Sequence, residues 1–160
     1  MKLTVITFSC GFAILCAIAD TEQSNNPKMT TTNTEEGRVL DVIEQFNKAF
    51  AANDAEKYFT YVDPEITVIT PTNPYRVEGI TDDRDEFEYG LKTGASRVGY
   101  FQEMQPKVQL LGNAAVVTYY SRGSYGPEGQ QKVCYYKETD VLVRKTDGWK
   151  IVHIHVSNTQ

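Results

Sequence analysis

Apolar residues recur at three- and four-residue steps between positions 35 and 52: Val39, Val42, Ile43, Phe46, Ala49 and Phe50. That period gathers them on one stripe of a helix, with Glu44 and Lys48 one turn apart on another face. Asn33 and Glu36 have capping-box spacing for its start, and Asn53 can end it in a left-handed conformation. Asp54 then caps a short helix over 55–62, which Asp63-Pro64 stops. Alternation with period two takes over at 65–70 and predicts a strand, followed by a Pro-rich loop and a short extended return over 75–78. Asp82 or Asp83 caps a third helix to about Leu91, with Phe87 and Leu91 on its buried side.

Four long alternating runs follow, over 100–111, 114–125, 131–145 and 148–157, separated by turn sequences such as Gly112-Asn113 and Asp147-Gly148. In the last run, strict alternation puts Trp149, Ile151, His153, His155 and Ser157 on one face and Val152, Ile154 and Val156 on the other. The first face passes from apolar to polar along its length, as the wall of a pocket would. Helices segregated from an antiparallel meander indicate an α+β domain, with a curved sheet wrapped on the long first helix to form a cone.

Composition narrows the function. With 160 residues the chain is one domain in size, and its formal charge of −5 includes no basic cluster. Nucleic-acid binding, which needs Lys and Arg against phosphate, is excluded as an expectation. Residues 1–19 read as a signal peptide: Lys2, an apolar run, and Ala17-Ile18-Ala19 before Asp20. A lipid anchor on Cys16 is the rival reading, opposed by the bulky Leu15 before it. Cleavage leaves a polar linker over 20–34 and the folded domain over 35–160. The expected location is secreted or periplasmic, with no membrane association after cleavage. Cys134 is then the remaining cysteine, so no internal disulfide is expected.

Candidate chemistry is sparse. His153 and His155 could ligate a metal or work as an acid/base pair, but no carboxylate at a telling spacing completes a site, so no metal and no cofactor are expected. The acidic run from Glu78 to Glu88 lacks calcium-loop spacing and reads as a solvated helix start. Asp140, mid-strand on the face of Glu138 and Leu142, is either solvated or buried; if buried, its pKa rises and it suits a general base. Of ten tyrosines, Tyr58, Tyr61, Tyr100, Tyr119, Tyr120, Tyr125, Tyr135 and Tyr136 fall on the elements expected around the cone, some as ordinary strand residues and others able to offer hydroxyls over an apolar floor.

Several stretches carry a family resemblance: Asp63-Pro64-Glu65-Ile66-Thr67-Val68 followed by Val77-Glu78-Gly79, the run from Pro106 to Gly112, Glu138-Thr139-Asp140-Val141, and the terminal run from Gly148 to Ser157. In order and spacing they resemble the nuclear transport factor 2-like superfamily, and within it the association domain of calcium/calmodulin-dependent protein kinase II. The resemblance implies a cone-shaped fold with a deep pocket and self-association into dimers or rings of dimers. No kinase motif and no calmodulin-binding helix is read in these residues. Ser121 and Asp140 stand where the hub pocket carries arginines, and Arg122 is one residue out of register, so the implied ligand is neutral or cationic. The pocket is expected to involve Phe46, Phe50, Tyr58, Tyr61, Tyr119, Ser121, Asp140, Leu142, His153 and His155. The superfamily also holds ketosteroid isomerase, polyketide cyclases and small dehydratases. An enzyme of that kind would use Asp140 as base with Tyr58 and His153 as donors, although Phe46 and Phe50 occupy positions where the isomerase tyrosine is sought. The third reading is a pure oligomerisation module.

Overall fold

The computed structural model describes residues 34–159. The expected signal peptide and nearly all of the expected linker, Asn33 included, lie outside the described residues. The long helix α1 spans Glu35–Ala51, and its N-cap is Thr34, whose hydroxyl accepts from the Gly37 N–H at 3.2 Å. Its predicted stripe is its buried face, with Val39 and Ile43 fully enclosed. Glu44 and Lys48 pair at 2.6 Å on the outside. Asn53 takes φ 56°, as expected, and its side chain bonds both backbone groups of Val98, donating to the oxygen at 2.9 Å and accepting from the N–H at 2.8 Å. This clamp fixes the end of α1 against the start of the sheet's far strand.

The second helix, α2 (Ala55–Phe59), is capped by Asp54 as the pattern indicated, but it is shorter than expected. Strand β1 already begins at Val62 and runs Val62–Ile69, so Asp63 and Pro64 lie in a strand and do not merely stop a helix. Pro64 falls where the pairing of β1 with its neighbour shifts register, a place that tolerates a missing N–H. After the two-residue strand β2 (Val77–Glu78), α3 spans Ile80–Thr93. Its N-cap is Gly79, at φ 87°, with no side-chain cap, so Asp82 and Asp83 sit inside the first turn and are not caps.

Strands β3 (Val98–Leu111), β4 (Ala114–Tyr125), β5 (Lys132–Lys145) and β6 (Gly148–Asn158) form the antiparallel meander. The sheet order is β2-β1-β6-β5-β4-β3, with β1 parallel to β6. The fold is therefore α+β, a curved open sheet packed on α1, as expected. The core is a single cluster around Ile43, Ile66, Val117, Leu142 and Ile151.

Irregularities in the ladder decide what faces inward. In β3, Gly99 is an extra residue opposite β4, and Gln105-Pro106 together face Tyr119, with Gln105 at φ 55°. In β6, Val141 pairs with His153 while Leu142 pairs with Ile151, so Val152 is an extra residue. Such a bulge shifts the alternation by one position. Trp149 and Ile151 are buried, and beyond the bulge so is Ile154. His153 and His155 are thereby turned to the outer face, which corrects the expectation that they share the inner face with Trp149 and Ile151.

Candidate functional site

The core stops short of filling the cone. Between the three helices and the inner sheet face lies a cavity of about 260 Å³. Its walls are aromatic: Phe46 and Phe50 from α1, Tyr58 from α2, Phe87 from α3, Phe101 from β3, and Tyr125 and Tyr136 from β4 and β5. The rings brace one another, with centroids 4.4 Å apart for Phe46 and Tyr58, 4.8 Å for Tyr58 and Phe87, and 5.4 Å for Phe50 and Phe101. Residues 70–72 of the β1–β2 loop and Ala95 and Ser96 after α3 complete the lining.

The polar groups that reach this apolar chamber are acidic. Asp83 and Glu86 line it from α3, Glu138 from β5, with the Asn47 amide from α1. Among the described residues no Lys, Arg or His lines it. Asp83 is only 8% exposed, and its Oδ2 has no hydrogen-bond partner. Burial pushes its carboxyl up to about 7, and the nearby Glu86 charge adds to the shift. Glu86 is itself held by Asn73, whose amide donates to it at 2.9 Å. Asp83 thus corrects the reading of the acidic run as a solvated helix start, while Asp82 and Asp85 beside it are exposed as that reading requires.

Beneath the cavity is a second acidic group. The Tyr119 hydroxyl lies 2.9 Å from Asp140 Oδ2, 3.0 Å from Glu138 Oε2 and 3.5 Å from Asn47 Oδ1. Asn47 Nδ2 donates to Glu103 Oε2 at 2.6 Å. A phenol carries one proton and cannot donate to two carboxylates at once. The second contact therefore requires a carboxylic acid that donates to the phenol oxygen. Burial supplies the means: it raises the pKa of Asp140 well above the ordinary value, with the Glu138 charge adding. Glu138 and Glu103 are also raised, chiefly by burial. The Tyr119 phenol is pushed up by burial and by the same two acids. Among the described residues Asp140 Oδ1, fully buried, has no partner, while the equally buried Ser121 hydroxyl lies near Glu138 and works against its upward shift.

The sequence-predicted site residues are divided by this arrangement. Phe46, Phe50 and Tyr58 line the cavity. Tyr119, Ser121 and Asp140 lie on the inner face but behind the lining, so Asp140 is buried and not solvated. Leu142 is a fully buried core residue, and Tyr61 packs half-buried against the core. His153 is on the outer face, its Nδ1 2.7 Å from the Thr67 hydroxyl, and burial beside His155 lowers its pKa. His155 is exposed. The donor set Tyr58, His153 and Asp140 is therefore not assembled around one point. Sequence reasoning did not place Asp83, Phe87 or Phe101 in the pocket, and it left Tyr125 and Tyr136 unselected among the tyrosines expected around the cone. Asp83 had a signal: it precedes Phe87 and Leu91 by four and eight residues, on the helix side already read as buried.

The family described as the calcium/calmodulin dependent protein kinase II association domain matches residues 35–160. The chain belongs to this family. Among solved structures, the hub of the corresponding kinase from S. rosetta is 29% identical, with 76% of this chain and 95% of that one covered and a TM-score of 0.64. The hub homology domain from Chlamydomonas reinhardtii is 26% identical over 79% of this chain and all of that one, at a TM-score of 0.64. A candidate ketosteroid isomerase from Parabacteroides distasonis, 22% identical over 82% and 93% with a TM-score of 0.65, shares the fold. In this chain Asp140 and Glu138 share the Tyr119 hydroxyl, and among the described residues no Lys or Arg pairs with either.

Proposed function

We propose that this protein is an exported, self-associating association domain whose cavity holds a small non-anionic molecule. The aromatic chamber with its uncompensated carboxyls carries the reading. Seven rings offer apolar contact, and a few polar groups supply orientation, the usual make-up of a small-molecule site. Self-association draws support from the hub relatives and from the uncovered outer sheet face. There Tyr120, Val133 and Tyr135 are roughly half exposed, and Arg122 lies 5.6 Å from the rings of both Tyr100 and Tyr135. Native mass spectrometry of the protein purified from its own host's export compartment tests both parts. The expected result is an even-numbered oligomer that retains an organic mass per subunit. A bare oligomer that also takes up no added ligand would leave an assembly module alone.

A second reading rests on the Tyr119–Glu138–Asp140 group. A carboxylic acid kept protonated at neutral pH can donate a hydrogen bond to a developing oxyanion, as isomerases of this fold class require. Of the three, Glu138 is the one that reaches the cavity. If the protein isomerises or dehydrates a small carbonyl compound, Glu138→Gln and Asp140→Asn should each remove turnover. Full activity in either variant would dismiss that residue's role.

A further inference from the structure

The Asp83 carboxyl has an oxygen that is buried, unpartnered and part of the cavity wall. Among the described residues nothing answers it. Its neighbour Arg84 is turned away, paired at 2.7 Å with Glu56 and stacked 4.5 Å from the Phe59 ring centre. Facing Asp83 are Glu86 from its own helix and Tyr58 from α2, neither of which brings positive charge. Leaving a buried acceptor unsatisfied is costly, and such a group in a chamber large enough for a ligand is a place for a donor. The nearest wall is also electron-rich: Tyr58 and Phe87 lie with ring centres 4.8 Å apart, and π-faces attract cations.

We propose that the cavity selects an organic ammonium compound, with its charged nitrogen on Asp83 and its apolar body among Phe46, Phe50, Tyr58 and Phe101. This rests on the small-molecule reading above and gives it a substrate class. The ammonium donates to Asp83 Oδ2, and the desolvated charge is met by the carboxylate and by ring faces together. Because burial holds the empty-site carboxyl near neutrality, arrival of the cation releases a proton from the fraction of molecules in which Asp83 is protonated.

Calorimetric titration of the full-length purified protein with three probes of one shape tests this: phenethylamine, phenethyl alcohol and phenylacetate. Phenethylamine should bind on the order of tenfold more tightly than the alcohol, because an ion pair is added to a hydrogen bond that both can donate, and phenylacetate should bind least. Amine affinity should rise between about pH 6 and about pH 8 more steeply than alcohol affinity. Asp83→Asn should bring the amine down to the level at which the same variant binds the alcohol, and measurable alcohol binding by the variant shows that the cavity survives the substitution. Equal binding of amine and alcohol, preference for phenylacetate, or a retained amine preference in Asp83→Asn overturns the cation assignment and leaves the small-molecule site standing. If none of the probes binds, the cavity reading falls and the ammonium with it.

Discussion

Replacing Asp83 by Asn should make the free protein more stable, increasingly so as pH rises. The folded carboxyl is raised from 3.8 to about 7, mainly by burial. A group with a raised folded pKa contributes its full stability below the unfolded value, and loses it as pH climbs through the folded one. The window here therefore runs from about pH 4 to about pH 7. Three units at 1.36 kcal/mol each give a penalty of about 4 kcal/mol above neutrality, an upper figure because solvent can reach the group through the cavity. Asn carries no charge and is close in shape, but its amide brings a constant cost of its own, so the slope is the diagnostic quantity. Urea unfolding at a series of pH values gives it directly. The stability difference between variant and wild type should grow by roughly 2–4 kcal/mol from about pH 4 to about pH 8. Parallel pH curves for the two proteins would refute the claim that a buried, unpaired carboxyl sits at this position.

Three further outcomes follow from the same structure. Tyr119→Phe removes the hydroxyl that links Glu138 and Asp140, and should cost about 1–3 kcal/mol in chemical denaturation; unchanged stability would mean that water replaces the phenol without loss. Asn53→Ala should be worse than Asn53→Gly by about 1 kcal/mol in the same assay, because both lose the clamp on Val98 and only glycine is at ease at φ 56°; equal losses would contradict the strain. Lys145 pairs with the buried Asp63 at 2.8 Å, and although burial alone would raise that carboxyl, the lysine and the Glu65 N–H hold it below the ordinary value. Lys145→Met should therefore destabilise the protein at neutral pH and lose its effect as acid protonates Asp63, and a deficit that persists in strong acid would point to lost packing instead.

The helices and the meander were legible because their periods are uninterrupted. β4 runs over the predicted residues, and its odd positions from Ala115 to Ser121 are all buried. The terminal strand was misread for a definite reason. Period-two counting assumes one residue per rung, and Val152 breaks that assumption silently, since a valine in a bulge looks like any other strand valine. The error carried both histidines into a pocket they do not enter. The third helix misled differently: acidic residues near a helix start are usually solvated, and only their phase relative to Phe87 and Leu91 separates the buried Asp83 from the exposed Asp82 and Asp85. Asp140 was undecidable from alternation alone, because a carboxylate is unfavourable in a core unless its neighbours let it keep a proton. Tyr119 and Glu138, distant in the chain but adjacent across β4 and β5, provide that setting.

The bulges of β3 have a bearing on colloidal behaviour. A fourteen-residue strand at a sheet margin, ending in the exposed Leu111, would ordinarily invite another chain to add on in register, and repetition of that step yields fibres. Gly99 and the Gln105-Pro106 pair interrupt the outward row of donors and acceptors, and proline offers no N–H at all. The opposite margin presents only the two residues of β2. Strand-by-strand polymerisation is thus opposed at one margin by kinks and at the other by brevity.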